Sequence, residues 1–132
     1  MADKAIRLVT ALPATHASET FRRTLQDIFD SWGFLKKAKH RLEFAPLAVA
    51  PDLVASPGTE TTPVFSEVAT ILNKTTGNPN VHVQFVVYDD GGERIVLINT
   101  KSITGLGGHD RRHYSEPLVH ALRSQDPNSR LS

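Results

Sequence analysis

The sequence predicts an α/β chain built as one mixed four-stranded sheet with helices on both faces. Three observations carry this. Two stretches alternate apolar and polar residues around a helix-period stripe, Ala5–Ala11 and Arg41–Val49 on either side of Phe21–Trp32. A third and a fourth strand-like run, Val81–Tyr88 and Glu93–Thr100, are separated by Asp89-Asp90-Gly91-Gly92. Two further helix-like stretches, one before this hairpin and one after it, complete the order strand, helix, strand, helix, strand, tight turn, strand, helix. A ferredoxin-like or other α+β sandwich has similar element content and differs in strand order.

Each element has a local reason. Ala5–Ala11 alternates in the strand period and Leu12-Pro13 closes it. Ser18 offers an N-cap, with Glu19 in the first turn, where the helix dipole favours a carboxylate. Phe21, Leu25, Ile28, Phe29 and Trp32 follow on one helical face, and Gly33 is the expected stop. A short basic run, Lys36–Arg41, leads into the second strand, where Pro46 argues for an edge position or a bulge.

Pro51–Thr62, rich in Pro, Ser, Gly and Thr, is expected to be a loop. Thr62-Pro63 then reads as a cap with proline at the first helical position. Val64, Phe65, Val68, Ile71 and Leu72 form the stripe of a second helix, ended by Thr75-Thr76-Gly77. In the hairpin turn, Gly and Asp tolerate positive φ. Gly105–Gly108 is a glycine-rich break, Ser115 and Pro117 open a last helix with Leu118, Val119 and Leu122, and the polar tail from Gln125 is expected to fray. The predicted organisation is one domain over residues 1–124 and a C-terminal tail over 125–132. The first two strands should pair in parallel through a right-handed crossover.

Composition narrows the function classes. Fifteen Lys and Arg against fourteen Asp and Glu give a net charge of +1, without the strong basic excess of a free-standing nucleic-acid binder. The first 45 residues lean basic, with eight Lys or Arg against five acids. There is no cysteine, so there is no disulfide framework and no thiolate metal site. No stretch approaches the roughly 18 apolar residues of a membrane-spanning helix. The opening MADKAIRLVTALP, with an acid at position 3, is a poor signal peptide and too short of arginine for an organelle-targeting one.

The segments KAIRLV, FRRTLQDIFDSW and HRLEFAPLAV, followed by NPNVHVQFVVYDDGGERIVLIN, resemble a thioredoxin-like family. Its members include certain mitochondrial ribosomal proteins and a small accessory subunit of respiratory complex I. The resemblance spans roughly residues 4 to 124 and departs in the stretch between Pro51 and Gly77. It implies a single thioredoxin-like domain, with Pro79 where that fold places a cis-proline. Since that fold's redox chemistry needs a thiolate, a cysteine-free member is expected to be non-catalytic. The implied function is a structural or accessory subunit of a mitochondrial ribosome or respiratory-chain complex. Protein subunits would be its partners, RNA a second partner class, the mitochondrion or otherwise the cytoplasm its location, and no cofactor is expected.

Candidate contact residues follow from charge. Lys36, Lys37, Lys39 and Arg41, with Arg22 and Arg23 on the preceding helix, could neutralise phosphates in RNA or contact neighbouring protein subunits. No aromatic ladder accompanies them, which argues against stacking on single strands. His109, Arg111 and Arg112 form the second set. The competing class is a small enzyme or bacterial effector acting on a nucleotide or nucleic acid through His109, His113, Glu116 and His120. The last three would share a helical face with metal-compatible side chains, although Pro117 should interrupt that helix or set its start near Ser115, leaving His113 outside. The spacing is not His-Glu-x-x-His. A deaminase-type reading of Tyr114 and Glu116 lacks the downstream cysteine pair. His16 and Ser18, before the first helix, are the remaining candidate anion contacts.

Overall fold

The computed structural model describes residues 5–47, 63–103 and 111–131, with Arg111 described by its backbone alone. The element order is β1 (Ile6–Thr10), α1 (Ala14–Asp30), α2 (Phe34–Ala38), β2 (His40–Pro46), β3 (Phe65–Asn73), β4 (Pro79–Asp90), β5 (Glu93–Ser102), α3 (Arg111–Gln125) and β6 (Arg130–Leu131). The six strands form one sheet in the order β2-β3-β4-β5-β1-β6. Every neighbouring pair is antiparallel.

This corrects the expected four-stranded mixed sheet and, with it, the thioredoxin-like strand order. β1 and β2 are not parallel neighbours: three strands stand between them. The cause lies in the stripe from Val64 to Leu72, expected as a helix, where the chain instead forms β3 (Phe65–Asn73). Phe65, Glu67, Ala69 and Ile71 turn to one face of that strand, while Ser66, Val68, Thr70 and Leu72 turn to the other. Glu67 masks the alternation, because it is a buried carboxylate in an apolar row. It is tolerated there because Arg22 of α1 donates to it from two guanidinium nitrogens, Nε to Oε1 at 2.9 Å and Nη2 to Oε2 at 2.6 Å.

The helices pack one side of the sheet. Ala17, Phe21, Leu25 and Phe29 of α1, with Tyr114, Leu118 and Leu122 of α3, meet Leu8, Ala69, Ile71, Val81, Val83, Phe85, Val87, Val96 and Ile98. Phe21 stacks on Phe85 at 4.6 Å between ring centroids. The opposite face carries a smaller cluster of Val86, Tyr88, Ile95 and Leu97, with Ala5 and Leu47 against it. Gln84 and Asn99 extend that face with a hydrogen bond of 3.1 Å.

The β4–β5 hairpin forms as predicted, closed by Gly91 and Gly92 at φ 58° and 97°. Two positive-φ residues match the right-handed twist of the strands. Pro79 opens β4 through a trans peptide beside a register shift at Ile71 and Leu72. The tail does not fray. Asp126 accepts from Thr10 Oγ1 at 2.7 Å and from the Ala11 amide at 2.9 Å. Arg130 and Leu131 then add β6 beside β1, and Arg130 forks onto Glu93. The expected loop at 51–62 and the glycine break at 105–108 lie outside the described residues.

Candidate interaction surface

The predicted basic run folds into a corner. α1 ends at Asp30, Trp32 and Gly33 turn the chain, and α2 occupies five residues before Lys39 hands over to β2. Trp32 is the pivot of this corner. Its ring lies 5.3 Å from that of Phe29 and 5.4 Å, edge-on, from that of His40, with Lys36 Nζ 4.1 Å from its centroid. His40 Nδ1 sits 2.7 Å from the Lys36 carbonyl, so it meets a last-turn acceptor of α2. The corner is thus held by packed rings and one capped carbonyl, while Phe34 and Leu35 turn outward, 85% and 72% exposed.

The four cations do not act alike. Lys37 pairs with Asp30 at 2.6 Å and Arg41 with Glu43 at 2.8 Å. The Asp30 carboxyl is held below its ordinary range, first by Lys37 and then by Gln26. Lys36 lies over the Trp32 ring. Lys39 and Lys74 are exposed, linked through the Lys74 amide and the Lys39 carbonyl at 2.9 Å, and neither side chain joins an ion pair among the described residues. The surface therefore presents less positive charge than the sequence suggests, beside more apolar area.

Two grooves flank the corner. One, of about 500 Å³, runs between α1, α2 and β2, with Phe29, Phe34 and Leu42 against Lys37, Arg41 and Lys74. The other, of about 480 Å³, joins Ile28, Trp32 and Lys36 to Arg112, His113 and Pro117 at the start of α3. Lys36 and Arg112, members of the two predicted contact sets, are brought to one groove. His109 lies outside the described residues, and so does the side chain of Arg111.

The histidine cluster is arranged differently from the expectation. α3 begins at Arg111 and carries Pro117 inside it, so His113 is helical. Proline withholds the N–H that the His113 carbonyl would otherwise accept. Ser115 is buried and bonds Thr100 Oγ1 instead of capping the helix. His113 opens on the Trp32 groove, whereas Glu116 and His120 line a separate cleft of about 500 Å³ with Ile6, Val119, Arg123 and Leu131. Among the described residues no three His, Asp or Glu side chains are placed to hold a metal ion. Likewise Ser18 is not a cap: α1 starts at Ala14, and the Ser18 hydroxyl bonds the Thr15 carbonyl at 2.9 Å. His16 and Ser18 therefore lie within the helix and do not precede it.

The sheet also carries a half-buried polar pair for which the sequence offers no signal. His82 Nδ1 lies 2.8 Å from the Thr70 hydroxyl, and burial, then the charge of Lys101, hold its imidazole below the ordinary value. Phe34, Leu35 and Lys74 were also missed. The signal available was two large apolar residues set between a glycine and two lysines, Gly33-Phe34-Leu35-Lys36-Lys37. The chain matches no family model, no curated protein and no solved structure. No helix among the described residues is long and apolar enough to cross a membrane.

Proposed function

We propose that the protein is a non-catalytic accessory subunit that docks an acidic, partly apolar segment of a partner protein on the α2 corner. The observation that carries this reading is the outward display of Phe34 and Leu35 on a corner packed around Trp32, beside Lys36, Lys39 and Lys74. Adjacent exposed apolar side chains rimmed by charge are a feature of interaction sites. An apolar partner side chain would cover Phe34 and Leu35, and its carboxylates would meet lysines that join no ion pair among the described residues. A protein is favoured over RNA because two of the four cations in the run are already neutralised by Asp30 and Glu43. The mitochondrial location was implied by a thioredoxin-like resemblance whose strand order this sheet does not have, so no compartment follows from the sheet.

The test is the native size of the endogenous protein in a gently prepared lysate, with and without ribonuclease, beside a Phe34→Ser/Leu35→Ser variant. The expected result is co-sedimentation with a larger particle that survives ribonuclease and is lost in the variant, at an unchanged unfolding midpoint. Particle size then distinguishes a respiratory-chain complex from other assemblies. A free wild-type protein, or a variant that stays bound, overturns the reading. Dispersal by ribonuclease replaces it with an RNA-borne one.

A further inference from the structure

The outer edge of β2 is complementary to itself. β2 ends the sheet order, and among the described residues no strand pairs with its outer side. The Leu47 amide donates to Ser66 O at 3.3 Å and the Lys74 amide to Lys39 O at 2.9 Å. The β2–β3 register runs between these two pairs without a shift, from Pro46 opposite Glu67 to His40 opposite Asn73. Hydrogen-bonded and non-hydrogen-bonded pairs alternate along an antiparallel ladder. Residues 39, 41, 43, 45 and 47 therefore aim their backbone groups at β3. His40, Leu42 and Phe44 aim theirs outward, and Pro46, next in that series, has no N–H.

We propose that β2 pairs antiparallel with β2 of a second copy of this chain, about a twofold axis through Leu42. Leu42 then faces its own equivalent, and His40 faces the second copy's Phe44. The outward N–H and C=O groups of the three residues on each chain are all used, in six new hydrogen bonds. Arg41 falls opposite the second copy's Glu43, and Glu43 opposite its Arg41, at the closely spaced non-hydrogen-bonded positions. Both side chains are exposed, with 57% and 47% of their surface accessible, and their 2.8 Å pairing within one strand is exchanged for pairing across the axis.

The competing axes are less favourable. An axis through Arg41 sets arginine against arginine, and one through Glu43 sets glutamate against glutamate. An axis through Phe44 brings Pro46 opposite Leu42 and loses a donor. Charge and proline together therefore select Leu42, as an isologous interface requires. An edge of seven residues that no described strand covers invites such pairing. The inference is independent of the α2 reading, since Phe34 and Leu35 take no part in the ladder.

Sedimentation equilibrium of the full chain, from about 1 µM to about 1 mM, tests the proposal across the affinity range of weak to moderate dimers. The expected mass rises from 14.5 kDa towards twice that value. Glu43→Arg should weaken the dimer by about tenfold or more, the factor that corresponds to ~1.4 kcal/mol. The double variant Arg41→Glu/Glu43→Arg restores the opposed charges and should regain wild-type association. A monomer at every concentration overturns the proposal. So does a dimer indifferent to Glu43→Arg, or a double variant that stays as dissociated as the single one.

Discussion

β4 and β2 are strands of one sheet that spend their residues in opposite ways. β4 lies between β3 and β5, and from Val83 to Tyr88 every residue is buried. Among the described residues β2 has a single neighbour, and its residues alternate between half-buried and exposed, with none fully buried. Phe85 and Phe44 both contact Phe21, one stacked at 4.6 Å and the other edge-on at 5.8 Å, yet only Phe85 is enclosed on all sides. The difference teaches where each property resides. Stability is concentrated in the centre of the sheet and its helices, and the two proposed contact surfaces, the β2 edge and the α2 corner, lie outside that centre.

The largest effect expected from this contrast is at the centre. Phe85→Ala should cost about 3–5 kcal/mol through lost burial and a residual cavity, read as a shift of the urea midpoint. Phe44→Ala, at a half-buried site, should cost about 1 kcal/mol. Equal losses at the two positions would erase the distinction.

The next effect lies between centre and edge, on β3. Arg22→Ala leaves the Glu67 carboxylate, whose side chain is only 9% exposed, without its partner. The Glu67 interaction is also what raises the Arg22 pKa, chiefly through the hydrogen bond and then through charge. We expect a loss of about 2 kcal/mol, set by the buried carboxylate left unsatisfied. The half-exposed guanidinium adds little of its own. Arg22→Ala/Glu67→Gln should recover part of that loss, because it removes the unpaired charge. A double variant worse than the single one would place the value of the pair in its attraction.

The smallest effect concerns the other edge, where β6 is held by Asp126. The Thr10 hydroxyl, then the Ala11 amide, hold the Asp126 carboxyl below its ordinary range. Stability from this group is therefore present above the unfolded carboxylate pKa, near pH 4. It is lost as pH falls through the lower folded value. The gap in urea midpoint between wild type and Asp126→Asn should be widest near neutrality and shrink in acid. A gap constant from pH 7 to pH 3 would mean that the carboxylate charge contributes nothing.

Part of this architecture was legible in the chain. β1, the α1 stripe and the β4–β5 hairpin follow from periodicity and from a turn that needs two positive φ angles, which are local signals. Val64–Leu72 was misread because Phe65, Val68, Ile71 and Leu72 also fit the helical period. The β-branched Val68, Thr70 and Ile71 were the better guide. The exposed Phe34 and Leu35 were hidden for a related reason: periodicity says which residues share a face, and it does not say whether anything covers that face.

The sequence by itself determined most of the local elements and the identity of the basic run, because period, glycine geometry and charge act between near neighbours. The tertiary structure decided the rest. It made residues 65–73 a strand by giving them partners on both sides, and it carried Glu67 inward by supplying Arg22 from 45 residues away. It also sent β1 to β5, tied the tail to Thr10, and brought Lys36 and Arg112 to one groove. Each of these depends on which distant group meets a hydrogen bond, a charge or an apolar surface, and no window of neighbouring residues contains that information.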